Sequence, residues 1–395
     1  MEQDSFMKNK KIKAKTINID KAGELSILLS DWEKKNIEEL TIIGEMNGSD
    51  FKIILDIATK NKLSFIDLSE TNIVSGGDYY FSDSSTKNNV LGDYQFCFCE
   101  KLEKIILPKT IVKIGEWAFN FCSNLTSLVI YSKVKSIKPE IWVGCDKLND
   151  VKIIDNSNFH FENNILYDKN YTKIIAALQT GFYGELTIKE GIKEIQSHAF
   201  YDCKSLTSVI FPSTLTKIGE DSFRYSGLTS IIFNKALETI DIYAFSNCDQ
   251  LKEINLVEVK IKKLKKGIFS DCGLETIYLP KQLIAMKELV FENNPLKHIF
   301  CFSNNPSDLY DFPKYNATFK DVDFEECILH VPKGKINIYK ETKGWNSFNS
   351  IIDDSQDFLN TIESKENKSY KKSDSSKKSN VEINKLLNLT KYLNL

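Results

Sequence analysis

The sequence predicts an α/β to mainly β fold: a curved solenoid of stacked parallel strands, with a cap at each end and a hairpin inserted into the stack. Three observations predict it. Leucines recur at Leu102, Leu125, Leu148, Leu206, Leu228, Leu251, Leu274 and Leu296, 22 or 23 residues apart within each uninterrupted block. Five or six residues before each stands an aromatic ring, at Phe96, Phe119, Trp142, Phe200, Phe223, Phe245, Phe269 and Phe291. A third ladder, Ile114, Ile137, Ile195, Ile218, Ile240 and Leu264, runs in the same phase. Self-similarity at such a period marks a repeat architecture, which grows by adding units, so the 395-residue length does not set a domain count.

In chain order, residues 1–16 read as an N-terminal arm and 17–91 as an entry cap with more generic repeats. The latter carry Ile37-x-x-Leu40-x-Ile42 and Leu63-x-x-Ile66-x-Leu68, followed by Ile73. Between them Ser49-Asp50-Phe51 opens a helical pattern with Ile53, Ile54, Ile57 and Ala58, a capped helix on the outer face. A terminal repeat must differ from the rest because it shields an open end.

The regular repeats occupy 92–323. Each leucine begins a short alternating run, as in LEKIIL, LTSLVI, LTSVIF and LKEINL, which is the pattern of a strand with one buried face. Leu125, Leu128 and Ile130 are the inward residues of one such strand, and the rest of the unit returns the chain to the next layer. One unit is too small to cover its own apolar face, so its neighbours must supply the cover. From Trp142 to Phe200 the aromatic ladder is stretched to 58 residues, placing an insertion near 155–187. There NILYD and KIIAAL flank Lys169-Asn170 and read as a hairpin. Residues 324–362 read as a closing cap with a last strand, a Pro-Lys-Gly turn and a short helix ending near Gly344-Trp345. Residues 363–395 form a polar tail whose end, with Ile383, Leu386, Leu387, Leu389 and Leu393, has the spacing of a short amphipathic helix.

The segments Ile114-Gly115 through Ala118-Phe119 to Cys122, Ile195 through Ala199-Phe200 to Cys203, Ile218-Gly219 with Phe223, and Ala244-Phe245 to Cys248 share the form I-G-x-x-A-F-x-x-C. With the post-strand prolines Pro108, Pro212 and Pro280, they resemble the BspA-like class of leucine-rich repeat proteins over roughly Gly92 to Phe302. The resemblance implies a leucine-rich repeat solenoid and a non-catalytic interaction module that binds another protein or a glycan. It further implies cell-surface or secreted placement and adhesion to host proteins or other cells. The N-terminus itself shows a basic patch without an apolar segment of about 7 to 15 residues behind it, which leaves a cytoplasmic scaffold, docking through its tail, as the alternative reading.

Charge and motifs argue against other classes. Lys+Arg 52 against Asp+Glu 54 gives a net charge of -2, so bulk charge does not point to nucleic acid. No apolar run approaches the roughly 18 residues of a membrane span. His160, His198, His298 and His330 fall in different phases, and no nucleophile elbow, phosphate loop or zinc-protease motif occurs. No catalytic residue, metal ligand or cofactor is therefore assigned. Six of nine cysteines, Cys99, Cys122, Cys145, Cys203, Cys248 and Cys272, stand three residues after a ladder aromatic, while Ser226 and Asn294 take that place in two units. A position that accepts Ser and Asn reads as a packing site, and buried Cys behaves as a small hydrophobe. Cys301 and Cys327 are out of phase and could pair in an oxidising setting.

The candidate binding surface is a strip of residues between the inward positions of successive strands, exposed on the concave side. Its members are Ile106, Val129, Ile210, Ile232, Tyr278, His298 and Phe300, the three last being the stronger anchors because strand propensity alone does not explain them.

Overall fold

The computed structural model describes residues 13–309, 317–357 and 359. The expected arm up to residue 12 and the polar tail with its terminal helix lie outside these residues. The described residues fall into two compact units, those within 1–185, 191–207 and 218–227 in one and those within 186–190, 208–217 and 228–395 in the other.

In the first unit six strands line up in a parallel sheet: Ala14–Ile19, Glu39–Met46, Phe65–Ile73, Lys104–Ile106, Ser127–Ile130 and Asp150–Ile153. The register sets Leu40 beside Ile66 and Ile66 beside Ile105, and Leu128 beside Val151. All five are buried, so the period-2 pattern does place one column per coil in the core. Val90–Leu91, Lys113–Ile114 and Ser136–Ile137 make a second parallel ladder of two-residue strands, which aligns Ile114 with Ile137. Phe96 and Phe119 stack with ring centroids 5.9 Å apart and planes 3° from parallel, and Phe200 and Phe223 at 4.9 Å and 5°. Such stacking adds about 0.5–1.5 kcal/mol per pair beyond area burial.

The outer helix spans Gly48–Lys60 and is capped two residues earlier than Ser49, where the sequence suggests its start. Its cap is Asn47, whose side-chain oxygen accepts from Ser49 N at 3.0 Å, and Asp50 returns the contact from Asn47 N at 2.9 Å. Asp50 is fully buried and also accepts from Gly23 N and Leu25 N, so one carboxylate joins the entry turn to the helix. The insertion is a three-stranded antiparallel meander, Phe159–Glu162, Ile165–Asp168 and Lys173–Ala177. Its last strand pairs in parallel with Glu194–Ile195 and so rejoins the short-strand ladder.

Each coil turns through two left-handed residues, two before and two after the ladder aromatic. Tyr94, Trp117, Glu140, His198 and Asp221 hold the first place and Phe98, Phe121, Gly144, Asp202 and Tyr225 the second, all with φ between 50° and 75°. Between these two positions every second N–H points along the stack: Tyr94, Phe96 and Phe98 donate to the carbonyls of Glu116, Ala118 and Asn120 in the next coil.

The second unit repeats this plan. Ser208 to Ile210 pair in parallel with Ser230–Ile232. Glu253–Asn255, Thr276–Tyr278, His298–Phe300, Ile328–His330 and Ser350–Ile352 form a further parallel sheet. The aromatic ladder continues through Phe245, Phe269 and Phe291 to Phe319, a ninth rung that the leucine spacing did not reveal. In the closing cap the helix is Ile336–Glu341, and Trp345–Ser347 forms a single 3-10 turn. Ile328–His330 is not the last strand: Ser350–Ile352 pairs beyond it, with Tyr339, Trp345 and Phe348 packed together in the connection.

Candidate interaction surface

The outward residues of the long strands form columns, because parallel pairing keeps one phase from coil to coil. In the first unit Thr41 stands beside Asp67, Asp67 beside Ile106, and Val129 beside Lys152. Lys104 pairs with Ser127, which sets Ile106 next to Val129. Ile106 and Val129 are half-buried, and the strip there is an apolar pair between an acidic and a basic residue. Beside it, the Lys104 ammonium lies 5.6 Å from the Phe65 ring centroid, a cation–π contact.

In the second unit Ile210 aligns with Ile232; Ile210 is buried and Ile232 half-buried. Asn255, Tyr278, Phe300, His330 and Ile352 follow as one column. Here the expected exposure fails. Tyr278 is 1% and Phe300 3% exposed, because the chain beyond the last strand returns over them and sets Leu359 on their rings, with Val257 and Phe302 beside it. The stack itself is close, Tyr278 to Phe300 at 4.6 Å and Phe300 to His330 at 4.1 Å. Both aromatic anchors belong to a small satellite core rather than to open surface.

His298 lies two residues earlier, in the neighbouring column of Glu253, Thr276, Ile328 and Ser350. Its Nδ1 is 3.1 Å from His330 Nε2, and His330 Nδ1 is 2.7 Å from Asp354 Oδ1. With the carboxylate accepting from His330 Nδ1–H, His330 Nε2 is left to accept from His298 Nδ1–H. Burial, the neighbouring His330 and Lys297 all hold the His298 imidazole below its ordinary range. In the same column the Glu253 carboxyl is pushed up to about 7 by burial.

The phased cysteines are buried free thiols, and so are Cys301 and Cys327. They do more than fill space. The Cys122 thiol donates to Phe96 O and Cys145 to Phe119 O, both at 3.0 Å, and Cys272 donates to Phe245 O at 3.1 Å. Asn294 uses its side-chain N–H on Phe269 O at 2.7 Å, so the position selects a donor for a buried carbonyl of the preceding coil. Burial pushes the Cys145, Cys203 and Cys272 thiols up and keeps them protonated. Among the described residues no three His, Cys, Asp or Glu are grouped to hold a metal ion, and no helix is long and apolar enough to cross a membrane.

Known proteins share this arrangement. The chain is similar over 80% of its length to the crystal structure of the pneumococcal vaccine antigen PcpA, at 19% identity and a TM-score of 0.59, covering 79% of that chain. A leucine-rich repeat protein from Eubacterium ventriosum aligns with 79% of this chain and 88% of its own at 18% identity and a TM-score of 0.52. A leucine rich cell surface protein from Faecalibacterium prausnitzii aligns with 73% of this chain and 77% of its own at 21% identity and a TM-score of 0.50. At these identities the likeness is one of fold. No curated protein sequence matches the chain. The BspA type leucine rich repeat region matches residues 83–184 and 178–297 with six copies, more than half the chain. The three ladders, the recurring Cys three residues past the ring and this match together place the chain in the BspA-type leucine-rich repeat family.

Proposed function

We propose that the chain is a non-catalytic interaction module that binds another protein through the outward face of its long-strand sheet. The observation that carries this reading is the half-exposed pair Ile106 and Val129, set in register between Asp67 and Lys152. An apolar centre with charges of both signs at its rim is the anatomy of a protein-binding patch. Tyr278 and Phe300 do not serve as anchors here, since Leu359 covers them. Kinship with the BspA-type family, and structural neighbours that include a vaccine antigen and a cell surface protein, support adhesion at a cell surface as the setting.

The test is binding of the full chain to a panel of immobilised extracellular-matrix proteins, beside an Ile106→Lys, Val129→Lys double variant. Lysine already stands in this column at Lys152, so the substitutions suit the strands. At least one panel member should bind, and the variant should weaken that binding at least tenfold while its thermal unfolding stays put. Equal binding by the variant, or no binding to any member, would refute the reading.

A further inference from the structure

The second unit carries a dense run of lysines. Residues 260–266 read KIKKLKK, five lysines in seven positions, in a protein of net charge -2. Ile261 and Leu264 are fully buried and anchor the segment, which leaves the lysines outside. The segment is clamped between coils: Lys260 N donates to Leu237 O at 3.0 Å, and Lys262 O accepts from Ile284 N at 2.8 Å. Lys263 pairs with Ala285 on the ladder of two-residue strands, not on the long-strand sheet.

Lys260, Lys262, Lys263 and Lys265 line one open groove of about 610 Å³ that extends over the preceding coil at Thr239 and the following coil at Gln282. Lys265 is held by Asp241 at 3.0 Å and Lys266 stands 4.0 Å from Glu288. Among the described residues Lys260, Lys262 and Lys263 form no ion pair, and all three are exposed. With Lys265 neutralised by Asp241, three unpaired ammonium groups thus face one lining carboxylate, Glu238. A concavity lined by one sign of charge concentrates counter-ions of the other.

We propose that this groove binds a sulfated polysaccharide. The geometry favours a chain over a single anion, because the groove crosses three coils, from Thr239 to Gln282, and two strand spacings of about 4.8 Å exceed what one sulfate fills. It favours a glycan over single-stranded nucleic acid, because no lining residue is aromatic and bases would have no ring to stack on. Lysine acts as a point charge toward sulfate, while the Thr239 hydroxyl and the Gln282 amide offer hydrogen bonds to sugar hydroxyls. A groove recessed across three coils also suits a flexible chain better than a flat bilayer. This surface is independent of the Ile106 and Val129 strip, so either reading can fail alone.

The experiment measures binding of the full chain to a heparin oligosaccharide across a salt series. Two charge-matched variants stand beside it: Lys260→Gln, Lys262→Gln, Lys263→Gln in the groove, and Lys101→Gln, Lys133→Gln, Lys135→Gln outside it. Parallel arms use duplex DNA and phosphatidylserine vesicles. The groove variant should bind heparin at least tenfold more weakly, and the slope of log affinity against log salt should fall by roughly one per lysine removed. The outside variant should bind as the wild type does. Equal losses in both variants, no heparin binding at low salt, or tighter binding to DNA or vesicles than to heparin would each overturn the proposal.

Discussion

Cys122 shows how one atom type can hold a repeat in register. Its thiol satisfies the Phe96 carbonyl of the coil before it, and Asn294 does the same for Phe269 with an amide. Removing the thiol leaves the Phe96 carbonyl with the Cys99 N–H alone, at 3.3 Å, and loses one hydrogen bond, which costs about 0.5–1.5 kcal/mol. Cys122→Ala should therefore lower unfolding stability by that amount in a denaturant titration, and Cys122→Ser, which keeps a donor, should lose less. Equal losses in the two variants would show that volume alone matters. Glu253 makes a pH prediction. Burial pushes its carboxyl up to about 7 from the ordinary 4.5 of a glutamate, so the folded protein holds a proton that the unfolded chain releases. The stability linked to this group is fully present below pH 4.5 and is lost as pH rises to 7. Glu253→Gln should leave stability unchanged at pH 4.5 and raise it at pH 8, by about 1–2 kcal/mol after allowance for partial exposure. His298 acts in the opposite sense: its depressed pKa means stability is lost as pH falls below 6.5, and Glu253→Gln should leave that limb unaltered.

At the scale of the element, the coil is defined by its two left-handed positions as much as by its strand. Asp and Asn tolerate that conformation, but Phe98, Phe121 and Tyr225 occupy it at φ 59° to 62° at a cost of roughly 1–2 kcal/mol each. Packing offsets part of it, as Phe98 and Phe121 stack at 5.1 Å. Gly144 takes the same place in the next coil at φ 75°, and a Cβ there would lie 2.6 Å from Phe121 Cδ1. Gly144→Ala combines backbone strain with that contact and is expected to cost about 1–3 kcal/mol, read as a lower midpoint in chemical unfolding. No shift in the midpoint would mean that the Phe121 ring swings clear and the backbone relaxes. These turns were not legible beforehand, because Tyr, Trp, Glu, His and Asp share one position and no residue type marks it.

Over the whole molecule the repeat gives every strand the same two faces, and departures from that rule stand out. One is the return of the chain after Ser350–Ile352, which sets Leu359 over Tyr278 and Phe300. Leu359→Asp should uncover both rings. The expected readouts are increased binding of an apolar dye and a loss of about 1.5–3 kcal/mol, the value of one buried leucine. Unchanged dye binding would mean that Val257 and Phe302 alone keep the rings covered.

The sequence by itself determined the repeat, its phase and the buried columns. Each depends on contacts between residues at a fixed separation, and a fixed separation is visible as a period. Ile106 and Val129 alternate with those buried columns, and both are half-buried. The lysine run 260–266 was also in plain view, yet the bulk charge of -2 concealed it, since only the fold places those side chains in one groove. What the tertiary structure alone decided are the contacts with no period. Leu359 on Phe300, and the chain from His298 through His330 to Asp354, join residues that no repeat relates. Exposure along a strand follows from alternation, but whether another segment comes back to cover that face depends on where the chain goes next, and alternation carries no information about that.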